Sequence, residues 1–380
     1  MHSKRECCLV TMTWWTQYIR HSMMNNYSYK KLEKFILDTF LKIGYNQTQA
    51  ELAAKVLISA DLRGVDSHGI ARLSGYIRLW EAKRINTNPT IRITHETPST
   101  AVVDGDAALG LVAAPKAMEI AIEKAKNVGT GWVSVKNSNH YGIAGYHSMM
   151  ALEHDMIGIS MTNASPLVSP TFSTERLLGT NPISVAIPTK NQPAFVADMA
   201  TTTAANGKLE ILQRKKMDCP EGWVQDKSGA ITTDSFGVKN GGALLPLGGD
   251  KEHGSHKGYI LGSIVDIFSA VLSGANYGPW VPPFVSFLQP PADPVGEGIG
   301  HFLGAMRVDA FRPKEEFFQH IDNWIYRFRQ AETVKGQERV VIPGDPEREM
   351  EMERKENGIP LLDPVVEDLK SLADKFGLDF

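Results

Sequence analysis

This chain has little cysteine, no long apolar run and almost no net charge, and each shortage removes a class of protein. Only three of its 380 residues are cysteine, Cys7, Cys8 and Cys219. The count is odd and the first two are sequence neighbours, poorly placed to bridge each other. No disulfide framework follows, and a reducing, cytoplasmic setting is expected. No apolar run approaches the roughly 20 residues that a membrane-spanning helix needs, so a membrane partner is not expected. The 40 basic and 43 acidic side chains leave a net charge of −3. A chain so balanced lacks the basic footprint that neutralises many phosphates, so nucleic acid is not an expected partner either.

Several chemical signatures are also missing. Gly296-x-Gly298-x-x-His301 places histidine where the dinucleotide fingerprint needs its last glycine, so no ordinary Rossmann signal exists. Gly249 and Gly254 have P-loop spacing, but Ser255 follows where lysine must stand. No Gly-x-Ser-x-Gly elbow supports a hydrolase. His253 and His256 lack the further Cys or His that would complete a tetrahedral set, and the glycine between them disfavours a rigid pair. A metal site is therefore not expected.

What is present describes a large mixed fold. With 42% of positions hydrophobic, the chain can bury a core without staples. Residues 1–26 read as a leader outside the fold. Their stretch 7–15 is short, carries threonines and lacks a small-residue cleavage site after it, which argues against a secretory signal; Met23 and Met24 stand just before the first helix. Leu32, Phe35, Ile36, Phe40 and Ile43 repeat at helical spacing between an N-cap at Ser28 and a stop at Gly44. Thr48 with Glu51 forms a capping-box pattern ahead of Leu52, Val56 and Leu57. Leu73, Tyr76, Ile77 and Trp80 continue the helical period after a loop.

From Thr100 the texture changes to short apolar runs, 101–103, 132–135, 157–161, 183–187 and 195–197, which predict strands. Helices are predicted near 115–126 and 259–273, the second ending before Gly274. The segment 280–300 contains Pro282, Pro283, Pro290, Pro291 and Pro294 and predicts an irregular arm. Phe302, Gly304, Met306 and Val308 then alternate as a strand, and Phe317, Phe318, Ile321, Trp324, Ile325 and Phe328 mark a helix after Pro313. The expected architecture is an α/β domain over 96–311, packed against a discontinuous helical domain built from 27–95 and 312–380.

Two histidines stand out: His68 in Arg63-Gly-Val-Asp-Ser-His-Gly69 and His140 in Asn137-Ser-Asn-His-Tyr-Gly142. Each lies in a polar, glycine-flanked turn, where an imidazole of ordinary pKa near 6.5 suits proton exchange. A hydrogen-bonded loop histidine with no chemistry is the plainer alternative for either one. Arg63 and Arg72 flank His68, and an arginine fork matches a carboxylate. A surface ion pair with Asp61 or Asp66 is the competing reading. The loop 246–258 offers backbone N–H groups, His253, His256 and Lys257 ahead of a helix, as a pyrophosphate cradle would.

At these motifs the chain resembles the malate/L-lactate dehydrogenase family of the second type, which also holds ureidoglycolate and sulfolactate dehydrogenases and diketogulonate reductase. The resemblance runs in family order through Asp66-Ser-His-Gly69, Asn137-Ser-Asn-His-Tyr-Gly142, Gly179-Thr-Asn-Pro182, Asp198-Met-Ala200, Pro246-Leu-Gly-Gly249, His256-Lys-Gly258 and Gly300-His-Phe302. It extends over residues 27–380. The proline-rich arm and Ile342-Pro-Gly-Asp-Pro-Glu-Arg348 resemble the malate branch.

The resemblance implies an NAD(P)-binding fold unrelated to Rossmann, with the cofactor along a mixed central sheet, and a homodimer whose site lies near the subunit contact. It implies that His140 and His68 line the active site, either one being the proton-transfer group, with Arg63, Ser67 and Arg72 near the substrate. It implies cofactor contacts from Asn163, Ser165, Gly179, Thr180, Asn181, Asp198, Met199, Ala200, Leu247, Gly248, His256, Lys257 and Gly344. The implied reaction passes hydride between C2 of a small 2-hydroxy acid and nicotinamide while an imidazole handles the hydroxyl proton. Resemblance to the malate branch makes malate the expected substrate, with lactate or another 2-hydroxy acid as the alternative; malate would need another cation in the pocket, for which Arg72 is a candidate. A catalytically silent NAD(P)-binding protein is the reading from a different class, and the presence of both histidines weighs against it. Lys251-Glu-His-Gly-Ser-His256 departs from the family pattern by inserting charge beside the phosphate loop, which leaves NAD or NADP open.

Overall fold

A computed structural model describes residues 25–380. Cys7, Cys8, Met23, Met24 and most of the expected leader lie outside the described residues. The described chain opens with β1 (Asn25–Tyr27), α1 (Tyr29–Lys42), α2 (Gln47–Leu62) and α3 (Leu73–Glu81). α1 buries Leu32, Phe35, Ile36 and Phe40 along one face, the stripe its periodicity predicts. Ser28 stands at its N-cap position without a side-chain capping bond. The expected capping box does not form at α2. Asn46 caps that helix instead, accepting the N–H of Gln49 at 2.9 Å, because its short side chain reaches the third helical N–H without strain. Glu51 accepts from Gln47.

The centre contains β2 (Arg92–Glu96), β3 (Thr100–Ala108), α4 (Gly110–Val128), β4 (Thr130–Ser138), α5 (Ala144–Met149), β5 (Met156–Thr162), β6 (Ile183–Ile187) and β7 (Phe195–Met199). After α6 (Asn206–Arg214) come the short strands β8 (Val224–Gln225), β9 (Ile231–Thr232) and β10 (Ala243–Leu244). Then follow α7 (Ser255–Asp266), β11 (Ile299–Arg307), α8 (Lys314–Arg329), α9 (Asp345–Asn357), β12 (Ile359–Leu361) and α10 (Asp363–Phe376). α4 begins before the predicted start at Pro115, which sits inside the helix. The helix predicted over 259–273 is α7 followed by a π-helical turn, Ile267–Val271.

Seven strands form one sheet in the order β2-β3-β4-β11-β5-β6-β7. Only β3 and β4 are parallel, joined by the α4 crossover; the other neighbours run antiparallel. This is a mixed sheet with no doubly wound parallel crevice, which is why no Rossmann fingerprint is needed. β11 lies between β4 and β5, and α4 packs its alanine-rich face on this centre with Val133, Val135 and Leu303.

The two chain ends meet. β1 pairs antiparallel with β12, so Asn25 and Asn26, taken from sequence as leader, belong to the fold. Val365, Val366, Leu369 and Leu372 of α10 share one core with α1, α2 and α3. Two details depart from the expected division. β2 pairs with β3, so a boundary after residue 95 cuts through a sheet strand. α8 leans on the β6–β7 hairpin, where Asp322 accepts the N–H groups of Lys190, Asn191 and Gln192 and Trp324 meets Phe195 edge-on.

Candidate active site

His68 ends a single helical turn, Asp66–His68, that follows α2. Its mounting is ionic. Buried Arg354 on α9 donates to the Asp61 carbonyl and forks onto the Asp66 carboxylate, while the Asp61 carboxylate accepts the N–H of Ile70 at 2.6 Å. Burial pushes the Asp61 carboxyl well above the usual range, with Asp66 adding to the shift. The sequence alternative for Asp66, an ion pair with arginine, is thus realised with Arg354 rather than with Arg63 or Arg72.

His140 sits in the loop after β4. Asn139 anchors that loop by donating to the carbonyls of Ala107 and Ala108 at 3.0 and 3.1 Å. The N-terminus of α4 approaches so closely that a Cβ on Gly110 would lie 2.3 Å from the Asn139 carbonyl oxygen, so only glycine lets helix and loop meet. Behind the loop, buried His301 on β11 bridges Thr162 of β5 at 2.7 Å and Ser138 of β4 at 2.8 Å, and stacks on Tyr141.

These mountings bring the two imidazoles together, with ring centroids 5.7 Å apart and planes within 17°. Nδ1 of His140 shares a 2.7 Å hydrogen bond with the Tyr76 hydroxyl, and Nδ1 of His68 a 2.8 Å bond with Ser67 Oγ. Among the described residues neither Nε2 has a hydrogen-bond partner, so each ring keeps one nitrogen available. Burial, followed by the nearby Arg72 guanidinium, pulls His68 down to about 3. Burial also holds His140 well below its ordinary value, with His68, Arg72 and His301 adding to the effect. Both imidazoles are neutral at physiological pH.

Both line a cavity of about 1020 Å³. Of the residues picked out from sequence, Arg63, Ser67, Asn163, Ser165, Thr180, Asp198, Met199, Ala200 and Leu247 also line it. Arg72, Gly179, Asn181, Gly248, His256, Lys257 and Gly344 do not. Arg72 lies behind Ser67, donating to its carbonyl and pairing with Glu210 of α6 at 3.0 Å. Asn181 is buried as a brace, accepting from Ala164 and donating to the Gly262 carbonyl. His256 and Lys257 occupy the first turn of α7, and Gly344 precedes α9. His253 is engaged by Asp250 at 2.7 Å. Among the described residues no group of three or more His, Cys, Asp or Glu could hold a metal ion.

Asp198 stands across the cavity. Its carboxylate accepts the Gly145 N–H at 2.7 Å, and burial raises it to about 6 against the lowering influence of that bond and of Arg63. Arg63 is buried and also reaches Glu351 at 3.4 Å. Three residues of the site carried no functional signal in the sequence: Phe284 and Arg354, which line the cavity, and Tyr76, which holds His140 from behind. Tyr76 counted only as a helical stripe position, Phe284 lay in the proline-rich arm, and Arg354 looked like one charge in a charged helix.

The chain as a whole is similar to known proteins. The malate/L-lactate dehydrogenase family profile matches residues 27–370. The chain belongs to that family. It is 43% identical over 350 residues to a malate dehydrogenase of Pyrococcus horikoshii, covering 92% of this chain and 95% of that one. It is 39% identical to an L-sulfolactate dehydrogenase of Methanocaldococcus jannaschii, over 91% and 96% of the two chains. Among solved structures, Entamoeba histolytica malate dehydrogenase superposes with a TM-score of 0.87 at 33% identity, covering 94% of this chain and 99% of that one.

A family member of this kind is an NAD(P)-dependent dehydrogenase acting on the CH–OH group of a 2-hydroxy acid. The cavity fits the cofactor. Its volume, about 1020 Å³, stands at the upper end of the range of small-ligand sites, as a large cofactor requires. Its walls alternate apolar Pro182, Val196, Met199 and Leu247 with Thr180, Thr202, Asp198 and Arg63, a donor and acceptor set suited to ribose hydroxyls and phosphates beside a flat ring.

Proposed function

We propose that this chain interconverts malate and oxaloacetate, with His140 or His68 handling the hydroxyl proton. The observation that carries the reading is the pair of neutral imidazoles on one cavity wall, each tied at Nδ1 and open at Nε2. The names of the Pyrococcus horikoshii and Pyrococcus abyssi relatives support malate over other 2-hydroxy acids.

Oxidation breaks the C2–H bond and the O–H bond and forms C=O, so a hydride and a proton must leave in opposite directions. Bound NAD(P) supplies the hydride acceptor at nicotinamide C4, or the donor in the reverse direction. His140 takes the hydroxyl proton at Nε2 in the tautomer whose Nδ1 carries hydrogen and donates to the Tyr76 oxygen, a tautomer that gives up the long 3.4 Å contact Nδ1 accepts from the Gly142 N–H. His68, held by Ser67 and 5.7 Å away, orients the substrate hydroxyl; exchanged roles remain the second version of the same mechanism. Neutral histidine serves oxidation, and the protonated form serves keto-acid reduction.

Arg72 is assigned to the substrate carboxylate beside C2: it stands behind Ser67, outside the cavity wall, and would turn from Glu210 to meet substrate. Arg63, which lines the cavity where Arg72 does not, takes the place of Arg72 as the cation for the second carboxylate. A homodimer belongs to the reading, since Ile260, Ile264, Ile267 and Val271 of α7 and its π-turn are 39–54% exposed and recur at helical spacing as one apolar stripe, the mark of a contact surface. The low cysteine content supports a cytoplasmic setting.

The direct test is absorbance at the reduced-nicotinamide band, with NADH or NADPH and oxaloacetate, pyruvate or 2-oxoglutarate in turn. Rapid oxidation with oxaloacetate alone establishes malate and reports the preferred cofactor. Activity only with another keto acid moves the substrate.

A further inference from the structure

The proline-rich arm has no periodicity, yet one of its residues reaches the centre of the site. The Phe284 ring stacks on His140, with centroids 4.5 Å apart and planes within 29°, and meets Tyr76 edge-on at 5.2 Å. It is buried and lines the cavity. The arm is secured on three sides. Ser165 Oγ accepts the Phe284 N–H at 2.9 Å, Arg78 donates to the Phe284 carbonyl, and Arg84 donates to the Pro283 carbonyl at 2.8 Å. α3 makes room for the ring at Gly75, where a Cβ would lie 2.5 Å from the ring's far edge. Two arginines, a serine hydroxyl and a side-chain-free helix position all serve to put one phenyl ring against one imidazole.

We propose that Phe284 is a positioning residue for the reaction: its ring forms the dry wall of the His140 pocket, sets the plane of the imidazole, and keeps water from the proton-transfer nitrogen. The inference rests on His140 as the proton-transfer group. The groups facing His140 are His68 on its own turn, Arg72 and Tyr76 beside and on α3, and His301 on β11. None of these is a carboxylate, so none offsets the cost of charging the ring, and exclusion of water by Phe284 acts in the same direction as the cations.

The test compares Phe284→Leu and Gly75→Ala with the parent protein. Leucine keeps an apolar filler but loses the flat wall. Alanine at 75 suits a helix better than glycine while pushing the ring away from His140, so it perturbs the contact and leaves α3 helical. Each variant should lower kcat by roughly tenfold or more through misplacement, with a smaller change in KM. Each should also raise the acid limb of the oxidation profile by about one pH unit as water reaches the imidazole. The Gly75→Ala effect should vanish in the Phe284→Leu background, since leucine leaves the alanine methyl free of contact.

Titration of ¹⁵N-histidine resonances reads the same shift without turnover. An unmoved His140 titration in both single variants, with native circular dichroism, overturns the proposal. If His140→Asn retains turnover, the assignment of His140 falls instead, and the resonance titration still decides what Phe284 does to the ring.

Discussion

The Tyr76 hydroxyl lies 2.7 Å from Nδ1 of His140, and this one bond decides which imidazole nitrogen is left for chemistry. With Nδ1 committed, the ring presents Nε2, and its orientation is set mainly by α3, with the Gly142 N–H of its own loop a longer 3.4 Å contact to the same nitrogen. Tyr76→Phe should keep the fold and the edge-on contact with Phe284 but release the tautomer. A fall in kcat of roughly tenfold, about the worth of one hydrogen bond, with KM nearly unchanged, is expected in steady-state kinetics. An unchanged kcat removes Tyr76 from the proton path.

His140→Asn and His68→Asn separate the two imidazoles. Loss of a general acid–base group costs roughly 10²–10⁴ in kcat, whereas loss of an orienting group appears mainly in KM. The expected outcome is the large kcat loss at His140. The reverse pattern exchanges their roles.

Arg72→Met tests the carboxylate assignment. Its guanidinium now pairs with Glu210 at 3.0 Å, and it should lose kcat/KM by at least tenfold with oxaloacetate and with pyruvate, because both carry the carboxylate next to the reacting carbon. Arg63→Met should cost oxaloacetate far more than pyruvate. Equal losses in the second variant would take the second carboxylate away from Arg63.

Acid stability follows from the buried histidines. Burial lowers His147 to about 4 and His301 to about 3, and His147 Nδ1 has no hydrogen-bond partner among the described residues. The unfolded chain takes up protons near the ordinary value of 6.5 while the native state does not, so native stability falls as pH drops from about 6.5 towards those lower values. Each such histidine costs about 1.4 kcal/mol per pH unit in that window. Thermal melts should show the midpoint falling between pH 7 and 5, and His147→Gln should flatten the slope. A pH-independent midpoint would show that these rings charge freely in the native state.

The exposed stripe of α7 is tested by Ile264→Glu with Ile267→Glu, read by light scattering after size exclusion. A shift from dimer to monomer is expected, since two buried charges facing an apolar surface cost several kcal/mol. A monomeric parent protein would leave the stripe without this partner.

The helical stripes, the strand runs around residue 183, the mixed α/β class and the two histidine motifs were all legible in the sequence, because each is a local matter of period, turn chemistry or residue type. Asn46 displaced the Thr48 capping box, and Pro115 lay inside a helix it was expected to begin, since competing local options differ by about a kilocalorie and neighbours decide. The sheet order was not legible. β11 inserts between β4 and β5 from far along the chain, and alternation tells a strand which side to bury but not which strand to join.

The sequence by itself determined most of the long helices and central strands, the family and the pair of imidazoles. Tertiary structure alone decided what surrounds them: that Tyr76 of a helical stripe holds His140, that Phe284 of an irregular arm covers it, that Arg354 secures the turn of His68, and that Arg72 meets Glu210. The physical reason is that periodicity describes a side chain relative to its own axis, whereas a site's proton affinity depends on burial and charges contributed by segments hundreds of residues apart.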